Sequence, residues 1–286
     1  MNVRYTLAIV IFHLLALLAC VPALFSWSAV ATCLLGVSCY GTLGLDLGYH
    51  RLLAHRSLCV PRWLERLLAL VGVCCFQDGP AGWVAAHRLH HQHSDHAGDP
   101  HTPRGGFWWS HVGWLLASNP QLRALDALAH YAPDVVAERF YRRLQSAPRL
   151  LAIYIAHAAL YVVAGWLWGG LSGALGLVVW GVFLRTVLVW HISWSINSLT
   201  HVWGYQTYGT GDDSRNNPLV ALLSSGEGWH NNHHAEPASA SNWHRWWEFD
   251  PCYLLIALLE LVGLAWNVKR PRSGLWRKWA LEREQQ

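Results

Sequence analysis

Residues 28–55 read SAVATCLLGVSCYGTLGLDLGYHRLLAH. From Ser28 to Tyr49 the run carries one charge, Asp46, over about the length a helix needs to cross a bilayer. It then ends in His50 and His55. Residues 171–196 repeat the design: an apolar run with Arg185 as its charge closes on Asn197-Ser-Leu-Thr-His201. Each run follows another apolar run, residues 6–25 and 149–169, across links as short as Ser26-Trp27 and Gly169-Gly170. Such links allow only tight hairpins. The expected fold is an all-α integral membrane protein of one domain, 1–286. It has four transmembrane helices (6–25, 28–49, 149–169, 171–196) in two hairpins, and a cytoplasmic helical cap from 50–148 and 197–286.

Composition agrees. The 286 residues are 53% apolar and 13% charged, with 19 tryptophans, whereas soluble domains average about 25% charged. Residues 6–25 are long enough to mimic a signal peptide. They lack a clear small-residue cleavage site and a second span follows at once, so a retained anchor is expected. Arginines crowd residues 51–149, basic residues crowd 269–278, and the hairpin tips have none. Basic loops stay cytoplasmic, which puts both termini and every histidine motif on that side. The tryptophans suit interfacial belts. The net charge of +4 fits topology and contact with anionic lipid; a docking patch for an acidic redox partner or acyl carrier is the alternative. Seven cysteines without CxxC spacing read as small core residues in a reducing compartment. No nucleic-acid motif is found.

Between the hairpins, residues 62–76 read as an amphipathic interfacial segment, and Gln77-Asp78-Gly79-Pro80 breaks it. A helix carrying His87 to His91 follows, then the turn Gly98-Asp-Pro-His101, an aromatic run at 106–114 and polar helices over 120–148. After the fourth span, 202–218 reads as a loop, 219–234 as one helix ending in histidines, and 243–268 as an amphipathic helix pair.

The histidines carry the chemistry. His87, His90 and His91 share one helix face, as do His230, His233 and His234. Imidazole is the commonest metal ligand. Nine such histidines, counting His50, His55 and His201, exceed the four a structural zinc takes; two ions with four or five ligands each fit better. A His-rich set without thiolate suits iron, copper, zinc or nickel. No HExxH pair exists, which excludes that class of zinc protease. Iron is favoured because a site beside acyl chains suggests oxygen chemistry on hydrocarbon.

The set HRLLAH, HRLHH, NSLTH and HNNHH resembles the membrane fatty-acid desaturases of the acyl-CoA and acyl-lipid delta-9 type. The likeness runs from about residue 40 to 270, through GYHRLLAHRS, WVAAHRLHHQHSD, DPHTPRGGFWWSHVGWLL and GEGWHNNHH. GEGWHNNHH with WWEFD and VKRP is similar to cyanobacterial and plant-type members. The resemblance implies a diiron site held by His50, His55, His87, His90, His91, His201, His230, His233 and His234, with Asn197 acting through a bound water. It implies removal of two hydrogens from a saturated C16–C18 acyl chain, with O2 as co-substrate. A separate ferredoxin or cytochrome b5 type protein is the implied electron donor. Gln77, Trp83 and Trp194 match residues lining the substrate tunnel. Ser38 and Thr42 match the position that closes its end, with Tyr40 as the alternative. The acyl carrier stays open between CoA and lipid: the lysines that follow VGWLL in animal acyl-CoA members are missing, and Arg88, Arg123, Arg139, Arg142 and Arg143 are the candidates to replace them. A diiron hydroxylase shares these motifs; a His-rich metal transporter is the rival outside enzymes.

The other histidines read differently. His13 and His157 are expected to pack inside spans. His93, His96, His101, His111, His130, His191 and His244 are expected around the site or on the surface. Asp95, Asp99, Glu227 and Asp46 are candidate carboxylate partners for metal-bound imidazoles, the first two being equally ordinary turn residues. Arg185 is expected to snorkel or to find a partner.

Overall fold

The computed structural model describes residues 1–119, 122 and 124–272. These form helices, with only isolated bridges such as Cys59 to Trp266 and no strand among them. Three helical stretches are long and apolar enough to cross a membrane: Val3–Cys20, Trp27–Ala54 and Ala147–Val202. Helix α1 (Val3–Ala16) tightens into a 3-10 turn, Leu17–Cys20. Helix α2 (Trp27–Cys39) starts at Ser26, whose hydroxyl accepts from Ala29 N at 3.1 Å and so satisfies one free helix-end donor.

Beyond Cys39 the second stretch changes pitch. Tyr40–Ala54 is a 15-residue π-helix, whose hydrogen bonds span five residues. Residues five apart therefore share a face, and His50 and His55 are five apart. His55 N donates to His50 O at 3.0 Å, and the two rings stand 4.8 Å apart. An α-helix would have pointed them apart.

Helix α3 (Arg62–Val73) packs against this wide helix where side chains vanish. A Cβ on Gly44 would lie 2.7 Å from Gly72 N, and one on Gly72 would collide with the Tyr49 ring. Helix α4 (Pro80–His93) starts on Pro80, whose missing N–H costs nothing there. Three short helices follow the aromatic run, Leu125–Tyr131, Pro133–Ala137 and Arg139–Arg143.

The last apolar stretch consists of α5 (Ala147–Val178), a π-turn (Val179–Leu184) and α6 (Arg185–Val202). It breaks at Gly169 (φ −151°, ψ 24°) and Gly170 (φ 62°, ψ −145°), the second of which only glycine adopts readily. The Gly165 and Gly173 backbones then touch, with no room for a Cβ on either. Arg185 does not snorkel. It is fully buried, donating to Cys74 O at 2.9 Å and Gly181 O at 3.1 Å, with His157 Nε2 3.1 Å away and the Tyr40 ring beneath its guanidinium.

Two expectations for the C-terminal part need correction. Residues 219–234 are not one helix: α7 (Pro218–Leu223) and α8 (His230–Ala235) flank a turn in which Ser225 (φ 50°) and Gly226 (φ 104°) are left-handed. Residues 243–268 hold one helix, α9 (Pro251–Leu261), not a pair. The Asp250 carboxylate caps it, accepting from Tyr253 N at 2.9 Å, while also binding the buried Arg51; Trp243–Asp250 before it is not helical, with Trp246, Trp247 and Phe249 exposed. Arg123 and the basic tail from residue 273 lie outside the described residues.

Candidate metal centre

Four elements deliver imidazoles to one place. The π-helix brings His50 and His55, α4 brings His87, His90 and His91, the end of α6 brings His201, and α8 brings His230, His233 and His234. They sort into two groups, His50, His55, His87, His233 and His90, His201, His230, His234; within each, one nitrogen per residue lies within 4.8 Å of all the others. His91 stands between them, its Nε2 2.9 Å from that of His233 and its ring 4.6 Å from that of His234.

Carboxylates hold the outer nitrogens. Asp99 lies 3.0 Å from His90 Nδ1, Asp95 2.8 Å from His201 Nδ1, Asp212 2.7 Å from His234 Nδ1 and Glu227 3.0 Å from His50 Nδ1. A carboxylate accepts, so the Nδ1 of His90, His201 and His234 carries the proton and the Nε2 of each presents a lone pair. Yet Nε2 atoms face one another at 2.6 Å (His55, His87), 3.1 Å (His201, His230), 3.0 Å (His230, His234) and 3.2 Å (His50, His233). His90 Nε2 is buried with no protein partner among the described residues. Imidazole nitrogens brought together this closely are what a cation relieves. The donor set fits metal ions: neutral nitrogen inside, carboxylate outside.

Electrostatics agree. Burial, then repulsion from neighbouring imidazoles, holds His55, His87, His91, His230 and His233 well below the ordinary imidazole range. They are neutral and free to ligate. Burial alone would raise the Asp212 and Asp99 carboxyls, but the hydrogen bonds from His234 and His90 bring both below the usual carboxylate range.

The asparagines between the ligands of α8 are structural. Asn231 Oδ1 accepts from Thr207 N at 2.7 Å and Tyr208 N at 2.8 Å, and Asn232 Nδ2 donates to Glu248 at 2.8 Å. They fix the 202–218 loop that supplies Asp212. Of the expected carboxylates, Asp95, Asp99 and Glu227 meet imidazoles; Asp46 does not. Asp212 is the partner that sequence reasoning missed.

A cavity of about 710 Å³ opens beside the first group, a size suited to a small-molecule ligand. Gln77, Trp83, Trp194 and Asn197 line it together with His87 and His101. Trp83 stacks on His87 with centroids 5.1 Å apart. His101 is buried and stacked 4.3 Å from His90, whereas His93 and His96 are exposed. Thr42 lines a separate small cavity and hydrogen-bonds Ser225 at 2.6 Å. Ser38 is exposed and lines neither cavity.

Long apolar helices and two histidine groups beside a cavity fit a membrane-associated protein able to bind metal. The chain belongs to the fatty acid desaturase family, whose model matches residues 24–270. It is 44% identical to the sn-1 stearoyl-lipid 9-desaturase of Anabaena variabilis over 257 residues, 90% of each chain. It is 43% identical to the sn-2 palmitoyl-lipid 9-desaturase of Nostoc sp. (strain 36), covering 90% of this chain and 87% of the relative. It is 41% identical to the chloroplastic palmitoyl-monogalactosyldiacylglycerol delta-7 desaturase of Arabidopsis thaliana, covering 92% of this chain and 67% of the relative.

Proposed function

We infer that this protein is an acyl-lipid desaturase that places a cis double bond, at delta-9, in a saturated C16–C18 acyl chain of a membrane lipid. The observation that carries the reading is the pair of histidine groups, backed by carboxylates, beside a cavity walled by Trp83, Trp190 and Trp194. His50, His55, His87 and His233, joined by His91, would hold one iron. His90, His201, His230 and His234, with Asn197 through a water, would hold the second. Iron bound there supplies the oxidant that an unactivated C–H bond requires, drawn from O2. The chain's own residues do the rest. Asp99, Asp95 and Asp212 keep the Nδ1 protons of His90, His201 and His234 in place, so that those three Nε2 atoms stay ligands, and Glu227 stands beside His50. The tryptophan walls exclude water from the acyl chain. Ser193 donates to Gln77 Oε1 at 3.1 Å and fixes that amide against the chain.

The mouth of the cavity speaks for a lipid carrier. Arg4 is the one Arg or Lys side chain among its described lining residues, and Asp78 lines it too. Arg88, a candidate for CoA phosphates, is instead bound to Asp134 and to the carbonyls of Leu53 and Ala54. Two electrons per double bond would come from a ferredoxin or cytochrome b5 type protein. Four spans in two hairpins, with both termini and the histidines cytoplasmic, accord with the reversal at Gly169-Gly170 and with the arginine distribution. Metal analysis of protein made with ample iron should return about two irons per chain, and about half that for His201→Ala. One iron or none in the unaltered chain, with O2-dependent product still formed, would overturn the diiron reading.

A further inference from the structure

Asp46 sits in the π-helix, 8% exposed, and no hydrogen bond or ion pair joins its carboxyl to any described residue. The charged groups that face it are Glu227, Arg51 and Asp250. Arg51 cannot serve it: that guanidinium already binds Glu227 at 2.8 Å and Asp250 at 3.0 Å. An ionised carboxylate left unpaired in such a place is costly, whereas the neutral acid is not. The Asp46 side chain lines a cavity of about 20 Å³ together with the hydroxyl residues Thr42, Ser193, Ser224 and Ser225. That is room for one water with several polar partners. Ser193 also lines the large cavity beside His87 and Asn197, so this residue stands in the wall between the two, its hydroxyl bonded to Gln77 Oε1 at 3.1 Å.

We propose that Asp46 holds a proton for oxygen reduction, with one water in the small cavity and the Ser193 hydroxyl linking it to the acyl cavity. The inference rests on the desaturase reading, whose chemistry creates the demand. R–CH2–CH2–R′ + O2 + 2 e⁻ + 2 H⁺ gives R–CH=CH–R′ + 2 H2O. The acyl chain loses two C–H bonds and gains a C=C bond. O2 is reduced by two electrons from the chain and two from the donor protein. Two protons must therefore enter from outside the substrate at each turnover. Asp46 is a buried acid beside the site that meets neither an imidazole nor a guanidinium among the described residues.

The test compares wild type, Asp46→Asn and Asp46→Thr in detergent or nanodiscs with a reducing donor. Infrared spectra of metal-free wild type should show the C=O stretch of a buried protonated carboxyl, absent in Asp46→Asn. With metal content unchanged, Asp46→Asn should form product tenfold or more slowly, release donor electrons as hydrogen peroxide, and respond more strongly to D2O. Asp46→Thr, which restores a hydroxyl, should recover part of the rate. Lack of the infrared band in wild type would overturn the proposal even if the variants fail to fold. So would product yield per electron that Asp46→Asn leaves unchanged. If wild type itself forms no unsaturated product, the desaturase reading fails instead.

Discussion

Asp212 lies twenty-two positions before His234 in a loop of glycines and small polar residues, yet it fixes that imidazole as firmly as Asp99 fixes His90. Nothing local marks it, because the pairing exists only once Asn231 has pinned the loop. Asp99 and Asp95 were legible as candidates through their closeness to the second histidine box. The ligand types and their sharing of helix faces were legible too, since spacing of three and four fixes a face wherever the helix is regular. Removing Asp212 should therefore weaken the second metal position and spare the first. Asp212→Ala is expected to lower affinity there by about 10–100-fold, read by titrating metal into metal-free protein. Equal loss at both positions, or none, would contradict this.

At the scale of the element, the π-helix Tyr40–Ala54 is the piece that the sequence concealed. Apolar content announced a span at 28–49, but hydropathy carries no sign of pitch, and a spacing of five fits no single face of an α-helix. The wide helix makes it regular and also turns Asp46 and Arg51 onto one face. Its cost is a broad surface that α3 can meet only through glycine. Gly44→Val would drive a side chain into the Gly72 backbone, now 2.7–2.8 Å from a Cβ at that position. Overpacking of this kind costs about 1–3 kcal/mol. The variant should melt earlier and bind less metal, by thermal unfolding and metal analysis; a wild-type melting point would show that the contact does not matter. The break at Gly169-Gly170 was legible from its two glycines, and the split of 219–234 was not, since Ser225 adopts a left-handed φ that its residue type does not advertise.

For the whole molecule, burial governs how pH acts. Burial above all holds His234 down to about 4 and His101 to about 3, from an ordinary 6.5. In metal-free protein the unfolded chain then binds more protons than the folded one below about pH 6.5. Stability is thus fully present above that pH and is lost as pH falls toward 4. Metal-free protein should unfold at a lower temperature at pH 5 than at pH 7, measured by a thermal melt; an unchanged or higher value would contradict the assignment of these rings as neutral. Membrane class and the histidine inventory could be read from the sequence because both are compositional. The cavity could not, since its walls come from α1, α4, α5 and α6 and meet only in three dimensions. The most direct test of the account is the fatty-acid profile of a desaturase-deficient host that expresses this chain beside a His90→Ala, His91→Ala version, with ferredoxin and cytochrome b5 donors supplied. The account predicts a new C16:1 or C18:1 acid in membrane lipids, its double bond at delta-9, formed only by the unaltered chain. A hydroxy acid, or the same product from the histidine variant, would contradict it.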